Sequence, residues 1–390
     1  MVHMFGDVLY EALFIAVALY LVSNLYVIFA ISRVIAFGRY SDYREATEQS
    51  VTVLIPICGL DDGLYDNLRS ICCQEYSEYQ LVLGVQDADD PAVDVIKRII
   101  GEFPDLDIEF VGDDRIAGPN LKISNLCNMY PRAEHSIIVI LDSDMRVGSR
   151  YLSTIIAPFQ DARVGAVTCL YKGTPAGGIA SVLGCMFINE WFLPSVLVAH
   201  SLREISFCFG ATMAVRRDVF DAIGGFDRLA PYLADDYMLG KMVTEHGYRV
   251  HLSSYVVENM VVEHGFKALF AHELRWAKTV QSMEPLGYFF SFLTYTVPVS
   301  MLAGLAMSMA GGWHMGAIGL IATSVALRVG LHYTVQASLG SPERIPAWLV
   351  SLRDWLCFAV WGMSYFGRHV HWRGRVLELQ SDGHIALKEI

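Results

Sequence analysis

The stretch that decides the fold is SIIVILDSDMRV, residues 136–147. A short, continuous apolar run of this kind is typical of a strand buried on both faces of a parallel sheet. The run ends in Asp142-Ser143-Asp144. Residues two apart on a strand point to the same side, so we expect both carboxylates to share a hard divalent cation, Mn²⁺ or Mg²⁺. An ordinary strand-end turn is the alternative.

Apolar runs on either side of this stretch predict the rest of the sheet. Strands are expected at VTVLIPI (51–57), QLVLGVQD (80–87) and DIEFVG (107–112), and helices at LYDNLRSICCQ (64–74) and AVDVIKRIIGEF (92–103). Strand–helix alternation predicts an α/β fold with a mostly parallel sheet and helices on both faces. Ligands bind such sheets at the carboxyl ends of the strands, where Asp142 and Asp144 are expected.

Two further acidic clusters follow apolar segments. In GVQDADDP (84–91), Asp87 is a candidate contact to the base of a nucleotide, whereas Asp90 is expected to form a turn or cap before Pro91. In LADDYMLGKMV (233–243), Asp236 is either a helix cap or a general base that takes a proton from an acceptor hydroxyl.

The segment FKALFAHELRWAKTV (266–280) has apolar residues at helical spacing. We therefore expect residues 266–285 to form an amphipathic helix at a membrane surface. Arg275 is suited to bind a phosphate, and Trp276 to stack on a sugar or lie at the lipid interface. An interfacial helix with no chemical role is the alternative.

Both ends of the chain are apolar, in keeping with a composition that is 54% hydrophobic and only 18% charged. Residues 9–32 are long enough to cross a bilayer and are interpreted as an anchor, since the acidic leader fits a cleaved signal peptide poorly. Candidate spans follow within 288–366, at about 288–311, 313–337 and 347–366. The charged residues within these spans predict that they lie in the interior of a helix bundle or at the membrane interface. In the polar tail, 367–390, WRGRVLEL (372–379) predicts a hairpin or strand.

Flanking charges predict the orientation of the chain. Asp7 and Glu11 fall before or early in the first apolar run, and Arg33, Arg39 and Arg44 follow it, which places a catalytic domain at 50–265 in the cytosol. Three full crossings afterwards would put the basic tail outside, so one segment is expected to be re-entrant or interfacial. The eight cysteines form no CxxC pair and predict free thiols in a reducing compartment. The net charge of −12 argues against a nucleic-acid partner.

The acidic clusters and HELRW occur in the order D, DxD, D, [QR]xxRW, which resembles processive and lipid-directed glycosyltransferases of the GT-A fold. VQDADDP, PNLKISNL (119–126), DSDMRV, ADDY and WRGR are similar to glycosyltransferase family 21, the ceramide glucosyltransferase-like family. FINEWFLPSVLVA (187–199) and FGATMAVRRDV (209–219) resemble the bacterial hopanoid biosynthesis-associated glycosyltransferases within that group. His272 departs from the family pattern, because Gln or Arg usually begins the [QR]xxRW motif.

The resemblance implies an inverting enzyme of the bacterial inner membrane that moves N-acetylglucosamine from a UDP-sugar to the hopanoid bacteriohopanetetrol. It assigns Asp87 and Lys122 to the uridine and diphosphate, Asp142 and Asp144 to the nucleotide and metal, and Asp236 to the base. His272, Arg275 and Trp276 would close on the diphosphate and acceptor. The alternatives are a ceramide or other lipid glucosyltransferase that uses UDP-glucose, and a non-catalytic membrane protein that binds a nucleotide-sugar.

Overall fold

A computed structural model describes residues 2–39, 49–340, 345–380 and 382–387. Arg44, part of the predicted basic flank, lies outside them. The chain forms two compact units. The helical unit comprises residues 1–39, 178–202 and 263–370, and the α/β unit comprises residues 40–177, 203–262 and 371–390.

The strands, in chain order, are β1 (Val51–Pro56), β2 (Tyr79–Val85), β3 (Asp107–Gly112), β4 (Ile137–Leu141), β5 (Met145–Arg146), β6 (Val164–Pro175), β7 (Thr212–Arg216), β8 (Arg249–Val261), β9 (His369–Trp372), β10 (Arg375–Leu379) and β11 (Ile385–Leu387). The helices are α1 (Val2–Gly38), α2 (Leu64–Cys72), α3 (Ala92–Glu102), α4 (Leu121–Met129), α5 (Tyr151–Ile156), α6 (Ile179–Phe187), α7 (Leu193–Leu202), α8 (Arg217–Ala222), α9 (Gly225–Leu229), α10 (Asp235–Glu245), α11 (Phe266–Met283), α12 (Pro285–Phe290), α13 (Thr296–Gly311), α14 (His314–Leu339) and α15 (Leu349–Ser364). Short 3₁₀ helices occupy Tyr130–Arg132, Ala157–Gln160 and Ser291–Thr294, and a π-helix occupies Ile188–Phe192.

The α/β unit is built on an eight-stranded sheet in the order β3-β2-β1-β4-β7-β6-β8-β5. β1 runs parallel to β2 and β4, while β7 is antiparallel to its neighbours β4 and β6. Every residue of β4 is buried, as the continuous apolar run predicts for a central strand. The predicted strands at 51–57, 80–87 and 107–112 and helices at 64–74 and 92–103 are confirmed within one or two residues. The α/β class is therefore confirmed.

Among the described residues of the helical unit, three helices are long and apolar enough to cross a membrane, judged by length and composition: Leu9–Gly38, Ile179–Leu202 and His314–Leu339. The predicted span at 288–311 is instead a broken element, because Pro285–Thr294 and Thr296–Gly311 meet at a bend of 70°. The predicted span at 347–366 is a helix of only 16 residues, α15. At about 1.5 Å per residue it is shorter than a hydrocarbon core of about 30 Å.

The segment Ile179–Leu202 differs from the sequence prediction, which placed it inside a continuous 50–265 domain. It belongs to the helical unit and consists of α6, the π-helix and α7. Its apolar run is interrupted by Asn189 and Glu190, which conceals the span in the sequence. The structure buries the Glu190 carboxylate against His332 Nδ1 of α14 at 2.7 Å, and only the folded unit brings this partner close.

The charges of the carboxyl-terminal helices lie inside the helical unit, as predicted. Arg328 and Arg353 are 2% and 0% exposed. Arg328 packs over the Trp191 ring at 3.9 Å and lies 3.5 Å from Asp354, and Arg353 donates to Glu273 at 2.7 Å. Buried charges are tolerated when they are paired in this way.

Candidate active site

A half-buried lysine joins the two acidic clusters of the α/β unit. Asn120 caps α4 by accepting the Ile123 N–H at 3.2 Å, and this fixes the first turn that carries Lys122. Lys122 Nζ lies 2.6 Å from Asp142 Oδ1 and 3.8 Å from Asp235 Oδ2. The end of β4, the start of α4 and the start of α10 therefore meet at one place.

Asp142 and Asp144 lie in a tight turn between β4 and β5, not within a strand as predicted. The Met145 N–H donates to the Asp142 carbonyl at 3.1 Å, and the Met260 N–H donates to the Asp144 carbonyl at 3.1 Å. Asn259 Nδ2 on β8 holds the Asp144 side chain at 2.9 Å. Turn geometry, rather than strand alternation, brings these two carboxylates to the end of β4.

Asp235 and Asp236 occupy the first turn of α10, and neither side chain caps the helix. Asn120 Nδ2 donates to Asp235 Oδ1 at 3.2 Å, while Asp236 Oδ1 accepts its neighbour's backbone N–H, that of Tyr237, at 2.8 Å. A Cβ placed on Gly210 would lie 3.2 Å from Asp236 Oδ2, so glycine at this position gives the carboxylate room.

The electrostatics of this cluster show a surplus of negative charge. Burial, reinforced by Asp142, raises the pKa of Asp144 to about 6, and burial, reinforced by Asp235, raises the pKa of Asp236 to about 7. Burial acts to lower the pKa of Lys122, but the charges of Asp142 and Asp235 outweigh it and raise that pKa. One ammonium group is thus shared among several carboxylates.

The residues of this cluster fit a divalent cation that is held jointly with a ligand. Among the described residues, Asp235 Oδ2 is buried without a hydrogen-bond partner, and no group of three or more His, Cys, Asp or Glu is arranged to hold a metal. Mg²⁺ and similar hard cations are commonly bound by one or two carboxylates, with the remaining ligands supplied by substrate phosphates and water. Asp142 and Asp144 match that ligand set.

Asp87, the first predicted donor contact, follows β2 and forms a turn. Its Oδ1 accepts the Asp89 N–H at 2.9 Å. Asp90 accepts the Ala92 N–H at 2.8 Å in the turn that precedes α3, and it also accepts the Gly59 N–H at 2.8 Å. The turn expected for Asp90 before Pro91 is confirmed, and the role of Asp87 stays a prediction.

The HELRW residues lie on α11 of the helical unit. His272 Nδ1 is 2.7 Å from Glu263 Oε1, and its ring packs on Trp276 at a centroid distance of 4.2 Å. Trp276 also stacks on Phe187, with ring centroids 5.9 Å apart. His272 and Trp276 thus form one aromatic surface, and their role toward an acceptor, like that of Arg275, remains a prediction.

Sequence reasoning missed two residues of the site, Asn120 and Asn259. Asn120 lies within PNLKISNL, where an asparagine before a helix is a recognisable cap signal, yet its second contact to Asp235 spans 115 positions. Asn259 lies within β8 in a segment without any motif, and its approach to Asp144 depends on the sheet order.

The fold and the acidic cluster define a glycosyltransferase-type protein of the GT-A fold. The mannosyltransferase PcManGT from Pyrobaculum calidifontis, solved with GDP-Man and Mn²⁺, has a similar fold, with a TM-score of 0.60 at 18% identity over 91% of this chain and 99% of that one. The chain belongs to glycosyl transferase family 21, whose model matches residues 15–385. The family prediction and the predicted enzyme class are thereby supported.

The relatives of this chain include ceramide glucosyltransferases. Ceramide glucosyltransferase 1 of Caenorhabditis elegans is 24% identical over 272 residues, covering 68% of this chain and 57% of the relative. Ceramide glucosyltransferase 3 of the same organism is 24% identical over 259 residues, covering 64% and 56%. This chain thus spans little more than half the length of these relatives.

Proposed function

We propose that the protein is an inverting glycosyltransferase that moves a hexose from a nucleoside-diphosphate sugar to a hydroxyl of a membrane lipid. The observation that carries the proposal is the convergence of Asp142, Asp144, Lys122 and Asp236 at the carboxyl end of β4. Open α/β sheets bind nucleotide ligands at this edge.

The proposed reaction is a single in-line displacement. The acceptor oxygen forms a bond to the anomeric carbon while the bond to the diphosphate oxygen breaks, and the diphosphate leaves with the electron pair. Asp236 takes the hydroxyl proton, a role that a carboxylate with a pKa raised to about 7 can perform near neutral pH. Lys122 places positive charge beside the leaving group.

A divalent cation, Mn²⁺ or Mg²⁺, would be held by Asp142 and Asp144 together with the donor phosphates. When bound, such a cation neutralises charge that develops on a leaving diphosphate. The remaining residues act without it: Asn259 orients Asp144, and Asn120 orients Asp235.

Two acceptor and donor pairs are proposed. The names of the relatives favour ceramide with UDP-glucose. His272, which replaces the usual first residue of [QR]xxRW, motivates the second pair, a hopanoid polyol with UDP-N-acetylglucosamine. We further propose a multi-pass protein of the bacterial inner membrane with its α/β unit in the cytosol, because Arg33 and Arg39 follow the first span.

A donor-by-acceptor matrix on the purified, full-length protein tests the proposal. UDP-glucose and UDP-N-acetylglucosamine are each offered with ceramide, bacteriohopanetetrol and diacylglycerol in the presence of Mn²⁺, and products are identified by mass. One glycosylated lipid is expected, with a β linkage by NMR. An α linkage would contradict the single displacement, and UDP binding with no product from any pair would favour the non-catalytic alternative.

A further inference from the structure

The carboxyl-terminal hairpin contains a second cation close to the acidic cluster. β9 and β10 are joined by Arg373 and Gly374, both with positive φ angles of 47° and 74°. Arg373 is the only non-glycine residue with a positive φ in the described part of the chain. A side chain in this conformation is strained, and Asn or Gly would fit the turn better. Such an outlier, observed first, motivates a search for its function.

The Arg373 side chain reaches the edge of the sheet at which the candidate site lies. One guanidinium N–H donates to the Cys58 carbonyl at 2.7 Å, two residues after β1 ends at Pro56. β1 pairs in parallel with β4, and Leu54 lies opposite Ile140, two residues before Asp142. The segment after β1 therefore lies beside the Asp142–Asp144 turn, and the charge of Arg373 acts on the Asp142 carboxylate.

The same tail also contacts the segment that leads into α10. The Ile385 N–H donates to the Pro231 carbonyl at 2.9 Å, and the His384 ring packs on Tyr232 at 4.3 Å. Tyr232 in turn precedes Asp235 and Asp236 by only a few residues. The tail is thus tied to two borders of the acidic cluster, at Cys58 and at 231–233.

The position of Arg373 matters for the charge balance of the site, provided that the proposed function holds and a nucleotide-sugar binds there. The donor adds a negatively charged diphosphate to several carboxylates, so Lys122 and a divalent cation together still leave negative charge in excess. A guanidinium has five N–H donors in a rigid fork that matches two phosphate oxygens. The bond to Cys58 uses one of them and holds the fork at the rim of the site.

We propose that Arg373 binds the diphosphate of the nucleotide donor, which makes the carboxyl-terminal hairpin part of the donor site. The Arg373 side chain is exposed, so a ligand can reach it. The strained turn directs the guanidinium to the segment after β1, which lies beside the carboxyl end of β4.

Arg373→Asn separates donor binding from folding, because Asn suits a positive φ better than Arg while it lacks the charge. We expect the affinity for UDP with Mn²⁺, measured with radiolabelled UDP on the full chain in detergent, to fall about 10- to 100-fold, as typical for loss of a charge-assisted hydrogen bond. Uridine, offered as competitor, should bind as to wild type, and the melting temperature should stay equal or rise. Arg373→Lys should recover part of the UDP affinity.

The matched control is Arg368→Asn, which removes an exposed arginine five residues earlier and should leave UDP binding unchanged. Equal loss of UDP and uridine affinity in Arg373→Asn would show a purely structural role and overturn the inference. So would wild-type UDP affinity in that variant. If wild-type protein itself fails to bind UDP, the proposed function fails, a result distinct from failure of the Arg373 assignment alone.

Discussion

At the scale of single residues, the site is a group of carboxylates in which burial raises the pKa of Asp142, Asp144 and Asp236. Asp236 combines a raised pKa, room provided by Gly210 and a place at the start of α10, where the helix dipole favours its ionised form. Burial and the neighbouring Asp235 outweigh that dipole. These features suit a general base better than a helix cap.

Asp236→Asn should reduce turnover by about 10²- to 10⁴-fold, because the amide cannot accept the hydroxyl proton. UDP affinity should change little, since Lys122 and the Asp142–Asp144 turn are retained. Initial rates and UDP binding on the same preparation check this. Glu245→Gln, at the exposed opposite end of α10, removes one charge as a control and should leave the rate unchanged. Wild-type turnover in Asp236→Asn would rule out the base.

The pH dependence follows from the same carboxylate. Burial raises the pKa of Asp236 from 3.8 to about 7, so the base is protonated in acid and kcat/KM should fall about tenfold per pH unit below that value. The contribution of Asp236 to the free energy of unfolding changes with pH in the opposite direction to the rate. It is fully present below the pKa of the unfolded chain and is lost as pH rises through about 7. Hence Asp236→Asn should melt at a higher temperature than wild type at pH 8 without ligands. A flat rate profile between pH 5 and 7 would contradict this assignment.

At the scale of secondary-structure elements, the β4–β5 turn carries both carboxylates of the proposed metal site, Asp142 and Asp144. The Met145 N–H closes this turn on the Asp142 carbonyl, and the Met260 N–H of β8 holds the Asp144 carbonyl. EDTA should abolish activity, and added Mn²⁺ or Mg²⁺ should restore it. Asp144→Asn should raise the Mn²⁺ concentration needed for half-maximal rate. Full activity in chelator would remove the cation from the mechanism.

The helix α11 is tied to α15 through buried charges, and this pairing is testable by stability. Glu273 is 3% exposed, Arg353 is fully buried, and their atoms are 2.7 Å apart. Glu273→Gln leaves a buried guanidinium without its counter-ion and should cost about 3–5 kcal/mol. Thermal unfolding in detergent measures the loss. Lys267→Gln, an exposed change on the same helix, should leave the melting temperature within error. An equal melting temperature for both variants would show that the pair adds nothing.

At the scale of the whole molecule, the two units differ in composition and in the groups that they carry. Leu9–Gly38, Ile179–Leu202 and His314–Leu339 are the candidate membrane spans of the helical unit, whereas the α/β unit contains the acidic cluster. All eight cysteines are free, and Cys58 and Cys73 of the α/β unit are exposed. Free exposed thiols are compatible with a reducing compartment.

Labelling of the exposed thiols tests on which side of the membrane the α/β unit lies. A membrane-impermeant maleimide should label Cys58 and Cys73 only after cells are broken, because basic residues after the first span favour a cytosolic α/β unit. Peptide mass mapping checks the labelled positions. A variant with both residues changed to Ser provides the background. Labelling of either cysteine in intact cells would reverse the orientation.

The sequence by itself determined the α/β class, the strand at 137–141, the buried charges of the last helices and the family resemblance. These depend on local periodicity and on motif order, which a linear chain displays directly. The span at Ile179–Leu202 was hidden because Asn189 and Glu190 interrupt its apolar run, and only the fold places His332, 142 positions away, against the Glu190 carboxylate. Likewise only the tertiary structure brings Asn259 to Asp144, Lys122 to Asp142 and Arg373 to Cys58. Sheet order and helix packing determine which of these residues meet, because contacts between polar residues far apart in the chain produce no periodic pattern in the sequence.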